Sequence, residues 1–150
     1  MTRIMLSFSL QGSRVGKEVA QRIAAEGMAS TNELRRWFAD DVTIEAALFS
    51  MRTAAACVIV AVGNEINDDP WVAYEVGLAN GIRKKVFLLM YDGSRSTYSA
   101  PFWEVAEVVT SISDLIRRLR GIREVFGIDR NLEVRSDDSL QGCEWNVVSR

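Results

Sequence analysis

A doubly wound α/β sheet of parallel strands is the fold class that this sequence predicts. Three observations lead there. Apolar, largely β-branched or leucine-rich runs recur at 3–8, 56–62 and 85–90. Between them lie segments whose apolar residues fall at helical spacing, and turn residues separate the two kinds. Strands buried on both faces read as continuous apolar runs rather than as alternation, so these runs suit a parallel sheet covered by helices. The chain has 150 residues and is 48% apolar, enough for one domain with a full core.

The elements follow in order. "RIMLSF" (3–8) is the first strand and "LQGS" (10–13) a polar turn. "RVGKEVAQRIAAEGM" (14–28) is a helix with Val15, Val19, Ile23 and Ala24 on its apolar side, and Gly27 closes it. "ELRRWF" (33–38) is taken as the second strand, with a turn at 39–42. "TIEAALFSMRTA" (43–54) is a helix capped by Thr43, with Ile44, Ala47, Leu48 and Met51 to one side. "ACVIVAV" (56–62) is the third strand, followed by the loop "GNEINDD" (63–69). Asp69 caps the next helix, Pro70 takes its first position, and the helix runs to about Ala79 with Gly81 beyond its end. "KVFLLM" (85–90) is the fourth strand, and "YDGSRSTYSAP" (91–101) has the chemistry of a loop. "EVAEVV" (104–109) holds a short fifth strand. Residues 111–127 form an amphipathic helix with a stripe of Ile112, Leu115, Ile116, Leu119, Ile122 and Phe126. The domain thus covers 1–127. The tail, 128–150, is polar and is read as an added edge strand ("NLEVR") or as partly disordered.

About five strands in this length predict a flavodoxin-like sheet of order 2-1-3-4-5. In that order, ligands bind at the carboxyl ends of strands 1 and 3, where the winding reverses. Here those ends lead into 7–13 and 63–69. The second loop runs straight into the helix that carries Trp71 and Glu75.

Composition excludes several functions. The net charge is −2, so no overall basic field draws the protein to nucleic acid or to anionic lipid. The arginines at 117, 118, 120 and 123 flank an amphipathic stripe and read as a solvated face. Histidine is absent, which removes Ser-His triads and most zinc sites. No metal-ligand spacing occurs. Cys57 lies in an apolar run and Cys143 in the tail, and two such cysteines make no disulfide framework. There is no signal-peptide layout and no run long enough to span a bilayer, so a cytoplasmic protein with no membrane partner is expected.

On a helix, Trp71 and Glu75 share a face. Val72, Val76 and Ala79 lie about 100° round and pack on the sheet, which puts Glu75 near the edge of the apolar stripe. By pattern alone, Glu75 is either a surface charge or a carboxylate placed beside the crevice. Asp40 and Asp41 follow the second strand at the same edge, as solvated turn residues or as contacts to a ligand's hydroxyls. The loop "SLQGS" precedes a helix, as phosphate-binding loops do, but is neither G-x-G-x-x-G nor a Walker motif.

Several of these segments together resemble the Toll/interleukin-1 receptor (TIR) domain in its prokaryotic form. "IMLSFS" is similar to the family's first-strand "FISYS", with Phe8 in place of Tyr. The stretch "AACVIVAVGNEINDDPWVAYEVGLANGIRKKVFLLM" is similar to its third strand, its W-x-x-x-E helix and its fourth strand. The match spans about residues 3–127. It implies a flavodoxin-like fold and, in enzymatic members, cleavage of the nicotinamide–ribose bond of NAD+ by the glutamate at Glu75, often in antiphage defence. NAD+ is then substrate and no cofactor is required. Activity through a homo-oligomer or a partner-induced assembly is also implied. The chemistry suits the residues present. Nicotinamide departs neutral and needs no general acid, and a carboxylate steadies the oxocarbenium ion that forms. Phe8, Trp37 and Trp71 are the candidates for an aromatic wall, Ser9 for a contact to phosphate or ribose, and Asp40 for a hydroxyl contact. Glu75 is expected to be reachable from solvent, so that it stays ionised. Two other readings are a nucleoside 2-deoxyribosyltransferase-like enzyme, which uses a helix glutamate after a buried strand, and a non-catalytic module assembling through 38–43 and the helix at 43–54.

Overall fold

The computed structural model describes residues 2–34, 41–92 and 104–123. Expectations that fall on Trp37, Asp40, Phe126, Cys143, most of the 91–101 loop and the 128–150 tail lie outside them. Strand β3 (Ala56–Val62) is buried at every residue, as a continuous β-branched run requires. It pairs in parallel with β1 (Arg3–Phe8) on one side and with β4 (Lys85–Tyr91) on the other. β2 (Ala29–Leu34) and β5 (Glu107–Val109) complete a five-stranded parallel sheet of order β2-β1-β3-β4-β5. This is the predicted flavodoxin-like arrangement.

Alternate residues of each strand face opposite sides, so the sheet carries two cores. On one side Ile4, Leu6, Phe8, Val58, Val60 and Phe87 pack against helix α1 (Ser13–Ala25) and helix α5, described over 112–123. On the other side Met5, Cys57, Ile59, Ala61 and Leu88 pack against α2 (Asp41–Thr53) and α4 (Pro70–Gly81). The stripes of α5 and α4 lie on the sheet as expected: Ile112, Leu115, Ile116 and Leu119 from one, Val72, Val76 and Ala79 from the other.

Four boundaries differ from the sequence reading. The second strand is described as "ASTNEL" (29–34) and so starts four residues before the expected "ELRRWF" (33–38), of which 35–38 lie outside the described residues. Gly27 ends α1 in the left-handed region at φ 76°, and the chain turns at once so that Ala29 stands opposite Arg3. β2 is an edge strand with one neighbour, so it tolerates the polar residues that hid it. Helix α2 begins at Asp41, which puts Thr43 inside it rather than at its cap. Helix α4 continues to Gly81, and the loop before it contains a short helix, α3 (Glu65–Asp68). On α1, Ala24 is exposed and Gly16 is buried in its stead.

Gly16 marks the closest approach of α1 to the sheet. A Cβ there would stand 2.4 Å from the ring of Phe8. At the other end of α1, both oxygens of Glu26 accept from Arg120 on α5, at 2.6 and 2.9 Å, and the Glu26 carbonyl accepts from Arg123. Arg118 donates to Glu107 and to Asp114, and Arg117 pairs with Asp114. Three arginines of the α5 cluster are therefore engaged in ion pairs along the protein's own surface, and Arg123 donates to a backbone carbonyl.

Three tests follow from these contacts. Gly16→Ala is expected to lose about 1–3 kcal/mol in denaturant unfolding, because the ring of Phe8 must move. Gly77→Ala, on the exposed face of α4 with nothing near its added methyl, should gain about 0.5–1 kcal/mol in the same assay. The hydrogen bonds from Arg120 hold the Glu26 carboxyl below its ordinary value. A carboxyl whose folded value lies below its unfolded one adds stability above the unfolded value and loses it as pH falls through the folded one. Wild type should thus exceed Glu26→Gln in stability at neutral pH, and the difference should close in acid.

Candidate active site

The site is set by how α4 starts. Asp69 accepts from the backbone N–H of Trp71 at 3.0 Å and Pro70 occupies the first helical position, as the sequence predicts. This fixes the rotation of the helix over the sheet. Glu75 stands three residues after Val72 and four before Ala79, so it falls within the buried stripe rather than at its edge. It is 3% exposed. The expectation of a solvent-reachable carboxylate is therefore corrected. That wheel spacing was legible in the sequence and was passed over because Glu is ordinarily a surface residue on helices.

Glu75 has a partner in Ser7 of β1, whose hydroxyl donates to Oε1 at 2.7 Å, with Ser7 itself fully buried. Ser7 was not singled out from the sequence. The signal was present, since it is the one polar residue between Ile4 and Phe8. In register with Ser7 on β2 stands Glu33, whose Oε1 accepts from the hydroxyl of buried Ser50 on α2 at 2.6 Å. Two serine–carboxylate pairs thus interrupt an otherwise apolar layer, at the carboxyl end of β1 and β2.

The crevice at the switch point lies just beyond. Ser9 accepts from the N–H of Gly12 at 3.0 Å, which shapes the turn into α1. Buried Glu65 accepts from the N–H of Val62 at 2.9 Å and closes the turn after β3. A Cβ at Gly12 would lie 3.4 Å from Ser9 Oγ and 3.5 Å from Glu65 Oε1, so the two loops meet there. Phe8 is not part of this group. It is buried under Gly16 on the α1 side of the sheet, opposite to Ser7 and Glu75. Trp71 is half-buried and meets Tyr74 edge to face, with centroids 5.0 Å apart. With Ile44 and Pro70 these rings line an open pocket of about 300 Å³ between the starts of α2 and α4. A larger hollow of about 450 Å³ lies at the amino ends of β4 and β5, by Lys85, Glu107 and Arg118, away from Glu75.

Among the described residues, no group of three or more His, Cys, Asp or Glu side chains is placed to hold a metal ion. No described helix is long and apolar enough to cross a membrane. What the arrangement offers is a buried, hydrogen-bonded carboxylate on the helix that also carries an aromatic pocket. Such a carboxylate can act as a nucleophile, or steady a cationic centre.

No family model and no curated protein matches the chain. Solved structures do. A 2-deoxyribosyltransferase from the psychrotolerant bacterium Bacillus psychrosaccharolyticus matches 77% of this chain and 90% of its own, at 15% identity and a TM-score of 0.58. A CMP N-glycosidase from Clostridium botulinum matches 79% and 98%, at 14% identity and a TM-score of 0.51. The NanR protein of Vibrio vulnificus, complexed with ManNAc-6P, matches 93% of this chain but 56% of its own, at 15% identity and a TM-score of 0.52. At these identities the likeness is one of fold.

Cys57 sits in the same layer as Glu75. Burial pushes its thiol up to about 12, with Lys84 opposing the rise and the charge of Glu75 adding to it. A Cys143→Ser variant should therefore resist a thiol reagent at pH 8 while folded, and titrate as one thiol once denatured.

Proposed function

We propose that this protein cleaves the N-glycosidic bond of a nucleoside, with Glu75 as nucleophile, in the manner of a nucleoside 2-deoxyribosyltransferase. The observation that carries the reading is the buried Glu75 carboxylate, held against β1 in a fold shared with two enzymes of N-glycosidic chemistry. Those neighbours put nucleosides ahead of NAD+ as the substrate class. The TIR-like reading rests on the sequence resemblance and involves the same type of bond.

In this mechanism an oxygen of Glu75 attacks the anomeric carbon. The carbon–nitrogen bond breaks and its electron pair leaves with the base, which takes a proton from solvent. A second base or water then attacks the anomeric carbon of the glycosyl ester, the bond to the Glu75 oxygen breaks and regenerates the carboxylate, and the attacking group's proton goes to solvent. Passage to a base is transfer and passage to water is hydrolysis. Ile44, Pro70, Trp71 and Tyr74 form the apolar wall against which a base or sugar stacks. Ser9 is the polar group at the crevice for a sugar hydroxyl.

The test is chromatography of purified protein with 2′-deoxynucleosides and an acceptor base, with nucleoside monophosphates, and with NAD+. Base release or exchange from nucleosides is the expected result. Glu75→Gln should lose about 10³-fold or more in rate, in the range of a removed nucleophile. Trp71→Ala should raise KM more than it lowers kcat. Glu75→Gln with wild-type turnover would remove Glu75 from the mechanism, and turnover of NAD+ alone would favour the TIR-like reading.

A further inference from the structure

Ser7 is costly where it stands. Four of its neighbours along β1 are apolar and buried, and a hydroxyl in such a layer is unfavourable unless it is hydrogen-bonded. Alanine would serve folding at this position. Glu75 likewise stands in the buried stripe of α4, beside Val72, Val76 and Ala79, where an aliphatic side chain is the ordinary choice. The two polar groups meet in a hydrogen bond across 68 residues of chain.

The geometry points to Ser7 as a positioning residue for Glu75, whose hydroxyl fixes the carboxylate in the orientation from which it reacts. This rests on the reading of Glu75 as the reacting carboxylate. Three features carry it. The O···O separation is 2.7 Å, within hydrogen-bonding range for a hydroxyl that donates to a carboxylate. The donor sits on β1, which is paired on both sides, with Ile59 of β3 and Glu33 of β2 in register with it. It therefore moves little, whereas a glutamate on a helix has three side-chain torsions to restrain. Finally, the carboxylate of Glu33, on the same face one strand away, is engaged by Ser50 on α2. Each carboxylate has its own hydroxyl. Ser7 retains its proton throughout, and the covalent step belongs to Glu75 alone.

The test pairs Ser7→Ala with Glu75→Gln and uses two independent readings. In steady-state kinetics on the nucleoside substrate, Ser7→Ala should lower kcat by about 10- to 100-fold, the scale of one charge-assisted hydrogen bond, with KM within about twofold. The acid limb of its kcat profile should move to higher pH, because a hydroxyl donated to a carboxylate favours the ionised form. The same movement should be visible without substrate, as a raised titration midpoint of the Glu75 carboxyl in 13C NMR, with the signal assigned by its loss in Glu75→Gln. An unmoved midpoint overturns the proposal whether or not any substrate is turned over. Wild-type kcat in Ser7→Ala, or a loss that only tracks the unfolded fraction, overturns it as well. A raised midpoint in a protein that turns over no nucleoside supports the coupling and counts against the nucleophile reading instead.

Discussion

β3 has neighbours on both sides and helices on both faces, and every residue of it is buried. That single constraint organises the rest. A strand buried on both faces needs two apolar layers, so its odd and even residues send the flanking helices to opposite sides. α1 and α5 cover one side, α2 and α4 the other. The side on which a β1 residue falls is then decided by parity. Phe8 goes to α1 and Ser7 to α4, and the candidate site follows the serine.

The same parity explains what sequence reasoning could and could not see. The order of the sheet, the three central strands and the start of α4 were legible because each rests on a strong local signal: continuous apolar runs, and the pairing of Asp69 with Pro70. The start of β2 was missed because an edge strand carries little apolar signal, and "ASTN" is small and polar. Glu75 was legible as a position but not as an environment. Its spacing to Val72 and Ala79 placed it inside the stripe, yet residue type argued for the surface. Phe8 and Ser7 were exchanged in importance for a related reason. A strand run does not say which side of the sheet an individual residue faces until the helices are assigned.

The polar groups of the layer are tied by hydrogen bonds. Ser7 with Glu75 and Ser50 with Glu33 each join two elements, one hydroxyl to one carboxylate. Glu65 instead turns to the backbone of Val62 and holds the loop that delivers α3 and then α4. The crevice therefore has a rigid floor and walls. The aromatic pair at the start of α4 provides its adaptable surface, since Tyr74 remains 46% exposed.

The two layers are also unequal in time. The described buried members of the α2 and α4 layer end at Met90, whereas those of the α1 and α5 layer extend to Leu119. A ribosome that has released the first 90 or so residues has supplied the described fully buried residues of the α2 and α4 layer, with Val105, Ala106 and Val108 still to add at its edge, while the other layer still lacks β5 and α5. The chain can thus bring Ser7 and Glu75 together during synthesis. The opposite face waits for α5, with the link from Glu26 to Arg120 joining the first helix to the last described one.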